Sequence, residues 1–599
     1  MVTQSNVRLA SNHLLPTLVL LLMLLLLLCI FNLDFVNAGH PFAKEGIRIT
    51  PKGVVEGTDK IRQNGNVYTL TEDIAGDVKN GVVFIKIERS GIIFDGAGKT
   101  IRGTGGGIAI ELDEISDITI KNTNIVNFGT SIELCNLDSY PMYTSNIQIV
   151  DNYFEFKYWA IKSSRINQFV IVGNTFVSTG DALNFGNCVD VTFTNNKFVG
   201  CGLSIVPDVS DIFYGNTIEG KPIVFLIGQS DQVINGAGQV ILVNCTNIII
   251  QNVDAVGIRR SIQLFGTSHT KVVNCILDSI VLTNSNDNLI ANSKVTAGIV
   301  LVNSNGNLIV NNELSKTGGT WQVAVVGLYS SSNNMVSQNL ITGTSCCGIA
   351  IMDGSEYNRV EKNDISSSGV NNMCAGIALG NILRGGGKYN YIYENNISTE
   401  DFGISFSDAE YNMIFKNNIY EGRYSVDMGG SMFNDVFGNT FSGASIYAVY
   451  LDRSDFNNFF WNSFNTNTDV YEIRTDIFRL MNATYYSEHN KWDNGKEGNY
   501  WSDYTGQDNG AGVGKTFYQV YDNFIDNYPL IQPYDVDKIQ VTFTGWKELS
   551  IDTQIPDNNH FQLFENFSLI LSALTVVSVV AIIGVVAYRY VSKRSLNQK

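Results

Sequence analysis

Residues Tyr357–Ser366 read YNRVEKNDIS, Tyr389–Ser398 read YNYIYENNIS and Tyr411–Tyr420 read YNMIFKNNIY. They are followed by FNDVFGNTFS at Phe433–Ser442 and FNNFFWNSFN at Phe456–Asn465. The shared pattern is N-x-φ-x-x-N-x-φ, with φ Ile, Val or Phe. Taking the second Asn as a ruler, it recurs at Asn152, Asn174, Asn196, Asn216, Asn252, Asn274, Asn292, Asn312, Asn339, Asn363, Asn395, Asn417, Asn439 and Asn462, with Asn122 an earlier member. The commonest step is 22 residues, and longer steps such as 216 to 252 mark insertions.

Two apolar columns follow from the ruler. Val360, Ile392, Ile414, Val436 and Phe459 stand three residues before it, and Ile365, Ile397, Ile419, Phe441 and Phe464 two residues after it. A third segment precedes each unit, as in CGIAIMD, AGIALGN, FGISFSD and YAVYLD. Its alternation puts Ile349 and Ile351 on one face and Ala350 and Met352 on the other. No unit holds a helical period of useful length, and the apolar positions are not the Leu positions of a leucine-rich repeat. The expected fold is all-β, a right-handed parallel β-helix. About 15 turns at ~4.8 Å each make a stack of roughly 70 Å. Asn tolerates the left-handed bend between strands, and its amide can bond to the same Asn one turn away. Repeated Asn therefore reads first as a turn ladder.

Composition agrees with repetition. Of 599 residues only 16% are charged, with 55 Gly and 9 Pro. Low charge with 11% aromatics excludes a disordered chain. A formal charge of −17 argues against nucleic acid, which needs clustered Lys and Arg. At the N-terminus, Arg8, the apolar run Leu14–Phe31 and the small residues of Val36–Ala38 read as a secretory signal, residues 1–38. Near the other end, Phe567–Tyr588 carries no charge and is long enough to span a bilayer; Arg589, Lys593, Arg594 and Lys599 follow it on the expected cytoplasmic side. The expected organisation is a signal (1–38), an N-terminal cap (39–90), the β-helix (91–484), a C-terminal capping segment (485–534), a juxtamembrane linker (535–566), a single transmembrane helix (567–588) and a cytoplasmic tail (589–599). The chain is then a single-pass protein of the cell membrane with its N-terminal domain outside.

Three stretches carry a family likeness: GIIFDGAGKTIRG at Gly91–Gly103, GAGQVILVNCTNIIIQN at Gly236–Asn252, and the segment Asn490–Leu530 that opens NKWDNGKEGNYWSDYTG. They resemble the carbohydrate-binding and sugar-hydrolase β-helix family, often described as NosD-like periplasmic copper-binding proteins, with membrane-anchored archaeal members. The resemblance implies the β-helix and leaves the function open. In that family the last segment usually holds an acidic loop suited to Ca²⁺. Here Ala511 and Lys515 replace two of its acids, and Asp503 and Asp508 remain as weak Ca²⁺ candidates. Copper is not expected: His40, His269, His489 and His560 are widely spaced after signal removal, and Met does not cluster.

Candidate chemistry is sparse. A polar row along one edge of the third strand contains Asn284, Asn303, Asp353, Asn381, Asp408 and Asp452, interrupted by Tyr329 and Gly430. Asp353 and Asp408 fall two turns apart, about 10 Å, which is wide for a glycosidase pair. Asp181, with Arg165, is a weaker catalytic candidate. Tyr140, Tyr143, Tyr153, Tyr158 and Trp159 form an aromatic group able to stack on sugar rings. Cys346 and Cys374 align on neighbouring turns, at a separation that permits a disulfide or a stack of thiols. Asn244, Asn396 and Asn482 stand in glycosylation sequons. The reading is a membrane-anchored surface β-helix, non-catalytic, that binds or adheres to extracellular glycans or surface proteins, with Ca²⁺ its one cofactor candidate. The alternatives are a polysaccharide lyase or glycoside hydrolase working in a groove of the coil, and a purely structural envelope protein.

Overall fold

The computed structural model describes residues 46–547, apart from 114, 136–143, 179, 187, 206–209, 318–323, 345–346, 369–374, 381–385, 466–470, 474–488 and 522–523. The signal, the transmembrane segment and the cytoplasmic tail lie outside the described residues, as do Tyr140, Tyr143, Cys346 and Cys374. Among the described residues no helix is long and apolar enough to cross a membrane.

The chain winds as a parallel β-helix. Strand after strand pairs in parallel with its equivalent one turn on, and the apolar columns stack in register. Val360 pairs with Ile392, Ile392 with Ile414, Ile414 with Val436 and Val436 with Phe459. Ile365, Ile397, Ile419, Phe441 and Phe464 form the second column. These side chains are buried, as are Ile349 and Ile351 of the third. Parallel pairing starts upstream of Gly91, where Ile47–Ile49 lies beside Val83–Ile87.

The coil is made in two lengths. A short antiparallel step, Thr217–Ile218 against Lys221–Pro222, joins them, and it accounts for the long ruler step from 216 to 252. Two fully buried glutamines close the joint: Gln239 Nε2 and Gln263 Nε2 each donate to the Leu203 carbonyl at 2.8 Å, and Gln239 Oε1 accepts from Leu203 N at 3.0 Å.

The ruler is a hydrogen-bonded ladder inside the coil. Each ladder Asn side-chain oxygen accepts the backbone N–H of its counterpart on the previous turn, for example Asn363 N to Asn395 Oδ1 at 3.0 Å and Asn395 N to Asn417 Oδ1 at 3.1 Å. Its amide then donates back: Asn395 Nδ2 reaches Val360 O at 2.9 Å, Tyr393 O at 3.0 Å and Asn417 Oδ1 at 2.9 Å. A second ladder runs five residues upstream, through Asn288, Asn307, Asn334, Asn358, Asn390, Asn412, Asn434 and Asn457. Where the ladder residue is Asn, buried peptide groups at the corners of the short strand are paired through it, as an interior requires.

The structure corrects the ruler at four places. Asn122, Asn252, Asn274 and Asn292 have φ of 51°, 53°, 55° and 51° and stand on the left-handed bend one residue ahead of the ladder. The ladder position itself holds Thr123, Val253, Cys275 and Ser293, all buried. Ladder Asn and bend Asn are thus adjacent positions with separate causes, not one residue doing both. The polar row shifts likewise. Val302 pairs with Tyr329 and Gly429 with Asp452, so the residues in line with Asn303 and Gly430 are Ser330 and Arg453, which share the bend's φ of 48° and 50°.

At its C-terminal end the coil is closed by aromatic rings. Trp492 stacks on Phe459 at 4.5 Å, Trp501 on Phe464 at 4.3 Å and Tyr518 on Trp501 at 4.4 Å. Asp526 ends the ladder by accepting from Asn499 N at 2.7 Å and Trp501 Nε1 at 3.0 Å. Residues 534–547 then run back along the outside of the short-strand sheet. Tyr534 stacks on Trp461 at 4.3 Å. Phe543 packs edge-on to Tyr391 at 5.0 Å, and the Arg359 guanidinium lies 4.3 Å from Phe543 and 5.1 Å from Trp546. Tyr391 OH donates to Thr544 O at 2.7 Å. No backbone pairing of this strap with the sheet is among the described contacts, so side chains hold it.

Two outcomes follow. Asn417→Ala removes partners from Asn395 N, Ile392 O and Phe415 O, and should lower stability by about 2–5 kcal/mol; the exposed bend change Asn274→Asp should cost less than ~0.5 kcal/mol. Denaturant unfolding distinguishes them, and equal losses would refute the ladder's role. Phe543→Ala should raise the rate of tryptic cleavage at Lys538 and Lys547 several-fold while the coil's melting temperature stays unchanged.

Candidate functional site

The long-strand face is where the repeat stops being uniform. Its outward column runs Ala350, Ala378, Ser405, Asp427 and Tyr450, paired in register turn by turn. The first members pack into a small external apolar cluster of Ala324, Cys347, Ala350, Met352, Ala375 and Ala378, with Tyr329 and Phe402 against it. Then the column becomes polar. Val426 and Met428, the residues either side of Asp427, are fully buried in the coil, so alternation along the strand Tyr424–Gly429 turns Asp427 outward.

The partner of Asp427 on the next strand, Tyr450, belongs to a group of aromatic rings. Phe402 stacks on Tyr424 at 5.3 Å; Tyr424 meets Tyr450 edge-on at 5.4 Å and Tyr447 at 5.9 Å, and Tyr447 and Tyr450 lie 6.2 Å apart. Ser405 Oγ donates to Asp427 Oδ2 at 3.2 Å. Burial pushes the Asp427 carboxyl up to about 6; the Ser405 hydrogen bond opposes this, and the charges of Asp452 and Asp401 add to it. Asp401 is held by Arg423 at 3.1 Å, and Asp452 by Arg453 at 3.3 Å. One oxygen of each, Asp401 Oδ2 and Asp452 Oδ1, is buried without a hydrogen-bond partner. Carboxylates of differing environment, a hydroxyl and tyrosines converge here, a combination suited to hydrogen-bonding and stacking on a polyhydroxylated ligand.

The residues singled out by sequence fall elsewhere. Asp353 and Asp408 occupy left-handed bends at φ 55° and 50°, at the strand edge rather than on its face. Asp181 sits at the joint of the two coil lengths, 3.5 Å from Arg259, and one of its oxygens is buried without a partner. Arg165 is itself a bend residue at φ 57°. Tyr158 and Trp159 lie at a bulged corner with ring centroids 6.3 Å apart, Lys157 standing 5.2 Å over Tyr158 and Lys162 5.9 Å over Trp159; Tyr153 belongs to the same strand. Asp503 accepts from Tyr518 OH at 3.1 Å, whereas Asp508 Oδ1 accepts the loop amides of Gly510 and Gly512 at 2.8 and 2.9 Å. Among the described residues no three His, Cys, Asp or Glu side chains are grouped to hold a metal ion.

A second aromatic feature was not expected. Tyr357, Tyr389, Tyr411, Phe433 and Phe456 stack along the coil at 5.2, 5.2, 5.1 and 5.2 Å, each at a φ between 55° and 58°. Bulky side chains are strained in that conformation, and ring-on-ring stacking offsets the cost. Because their faces are spent on one another, the ribbon presents ring edges, and sugars stack on faces.

Residues 214–382 match the profile of the family described as periplasmic copper-binding protein (NosD), and over that stretch the chain is NosD-like. A search of curated proteins finds no match. Among solved structures the chain is similar to a mutant of the periplasmic alginate epimerase AlgG, at 13% identity and a TM-score of 0.25, covering 68% of this chain and 82% of that one. It is similar to the Dettilon tailspike protein gp208 at 11% identity and a TM-score of 0.26, covering 68% and 61%. It also resembles the A-module of the Azotobacter vinelandii mannuronan C-5 epimerase AlgE6 at 12% identity and a TM-score of 0.20, covering 68% and 89%.

The Asp427 carboxyl yields a pH test. A carboxyl that binds its proton more tightly folded than unfolded makes stability fall as pH rises, from the unfolded value near 4 through about 6. Asp427→Asn removes that loss. The variant should gain on the order of 2 kcal/mol over the parent at pH 7.5 and nothing at pH 3.5. Calorimetric melts at both pH values check this, and a pH-independent difference would refute it.

Proposed function

We propose that this chain is a non-catalytic binding protein of the cell surface, whose coil presents the patch of Phe402, Tyr424, Tyr447, Tyr450, Ser405 and Asp427 to an extracellular glycan. The observation that carries the reading is the change in the outward column, from an alanine-lined, covered stretch to a serine, an aspartate and a tyrosine ringed by aromatics. The sequence supports display at a surface: residues 1–38 read as an export signal and 567–588 as a membrane anchor. The description of the matched family as periplasmic is in keeping with export. The copper in that description finds no support in the spacing of His and Met in this chain.

One observation favours a second reading, a lyase or hydrolase. Asp427, with its raised proton affinity and Asp452 on the next strand, has the character of a general acid beside a second carboxylate. A glycan array on the full-length chain separates the two. Under the binding reading, retained glycans survive intact and Tyr450→Ala lowers retention at least tenfold. Release of shortened or unsaturated products, abolished by Asp427→Asn, would favour the enzyme, and retention indifferent to Tyr450→Ala would move the site elsewhere.

A further inference from the structure

Among the described residues no cation pairs with Asp427. Immediately before its own strand the charged neighbour is Arg423, which is engaged with Asp401 at 3.1 Å and stands 5.4 Å over the Tyr424 ring. On the preceding strand it meets Ser405, and on the following strand Tyr450, with Tyr447 and Asp452 alongside; Arg453 beyond them pairs with Asp452 at 3.3 Å. Three carboxylates thus share two guanidiniums, and neither guanidinium is paired with Asp427. Among the described residues two acceptor atoms here have no donor. Asp401, whose side chain is only 3% exposed, keeps one oxygen with no partner, and so does Asp452. A buried acceptor left without a donor is costly unless something fills the deficit.

Tyrosine faces and edges complete the set. Tyr424 and Tyr450 meet edge-on at 63°, and Tyr447 lies 5.9 Å from Tyr424 and 6.2 Å from Tyr450. Aromatic walls around a carboxylate are the environment that attracts a substituted ammonium, through ring quadrupoles and charge together. A bare metal ion would need several converging oxygen ligands, and no such group occurs among the described residues. We infer that the patch seats an organic ammonium group, carried by an amino sugar chain, with Asp427 as its counter-ion and Tyr424, Tyr447 and Tyr450 as its walls. The sugar part of this assignment rests on the glycan-binding reading; the ammonium part stands on the patch alone.

The test titrates the full-length chain at pH 6.5 with glucosamine oligomers, N-acetylglucosamine oligomers of equal length, and spermidine. Glucosamine oligomers should bind at least tenfold more tightly than their acetylated counterparts. Asp427→Asn should erase that preference, and Tyr450→Ala should weaken amine binding about as much, whereas the bend variant Asp408→Asn should leave it intact. Affinity should fall on acidification to pH 5, as Asp427 takes up its proton. Spermidine binding that needs Asp427, with no binding of either sugar, would keep the ammonium site and overturn its glycan carrier. Equal affinity for the amino and acetylated oligomers, no binding by any probe, or a preference that survives in a folded Asp427→Asn variant would overturn the ammonium site itself.

Discussion

The fold depends on a buried amide ladder. A coil that turns every two dozen residues must bend inside its own wall, and each bend leaves peptide groups that neither sheet can pair. The ladder Asn solves this in one side chain, accepting from the previous turn's N–H and donating to a carbonyl of that turn. Two ladders five residues apart frame a three-residue strand, as Asn358 and Asn363 frame Arg359–Glu361. That corner-to-corner length cannot vary without losing one ladder or the other. Length variation is therefore driven to the remainder of each turn: the ladder step is 19 residues from Ser293 to Asn312, 27 to Asn339 and 32 from Asn363 to Asn395. The longer strands, the one with Asp427 among them, belong to that remainder. Constraint on one flank thus concentrates chemical variety on the other.

The same division explains what the sequence made legible. The apolar columns, the period and the ladder from Asn312 to Asn462 could be read because each column holds one residue class for one reason. The slip at Asn122, Asn252, Asn274 and Asn292 came from two adjacent positions that both favour Asn, one for its amide geometry and one for its tolerance of positive φ. Where the ladder residue is Thr, Val, Cys or Ser, the neighbouring bend Asn becomes the more visible of the pair. Asp353 and Asp408 drew attention for a related reason: acidic residues at bends are conspicuous along a polar row, yet bends are where Asp is placed by backbone conformation alone.

Asp427 was readable but unremarked. Aligned with AGIAL and FGISFS, the segment YSVDMG puts a carboxylate at a mid-strand outward position where earlier turns have Ala and Ser. A mid-strand Asp has no conformational excuse, since Asp is a poor strand former. What the sequence could not supply was its surroundings. The approach of Tyr447 and Tyr450 from one strand to Tyr424 on the other depends on register, and register is a property of the ladder rather than of any single turn.

The flank that cannot vary in length has varied in surface instead. From Tyr393 onward one of its two outward columns is aromatic, with Tyr393, Phe415, Phe437 and Phe460 stacked at 4.8, 5.2 and 5.1 Å. Left bare beside the exposed ribbon of Tyr389, Tyr411 and Phe433, this column would make a continuous apolar strip along the coil, the kind of surface that associates indiscriminately. The strap covers it: Ile539 is buried against Phe437, and Val541 and Phe543 follow at alternate positions, as an extended chain demands. Docking by side chains rather than by strand pairing matters, because the short strands already spend their N–H and C=O groups on the turns above and below. An added strand has nothing to bond to there, so the cover must be held by ring contacts and by Arg359 between Phe543 and Trp546. Ladder, strand length and strap are in this sense one constraint expressed three times.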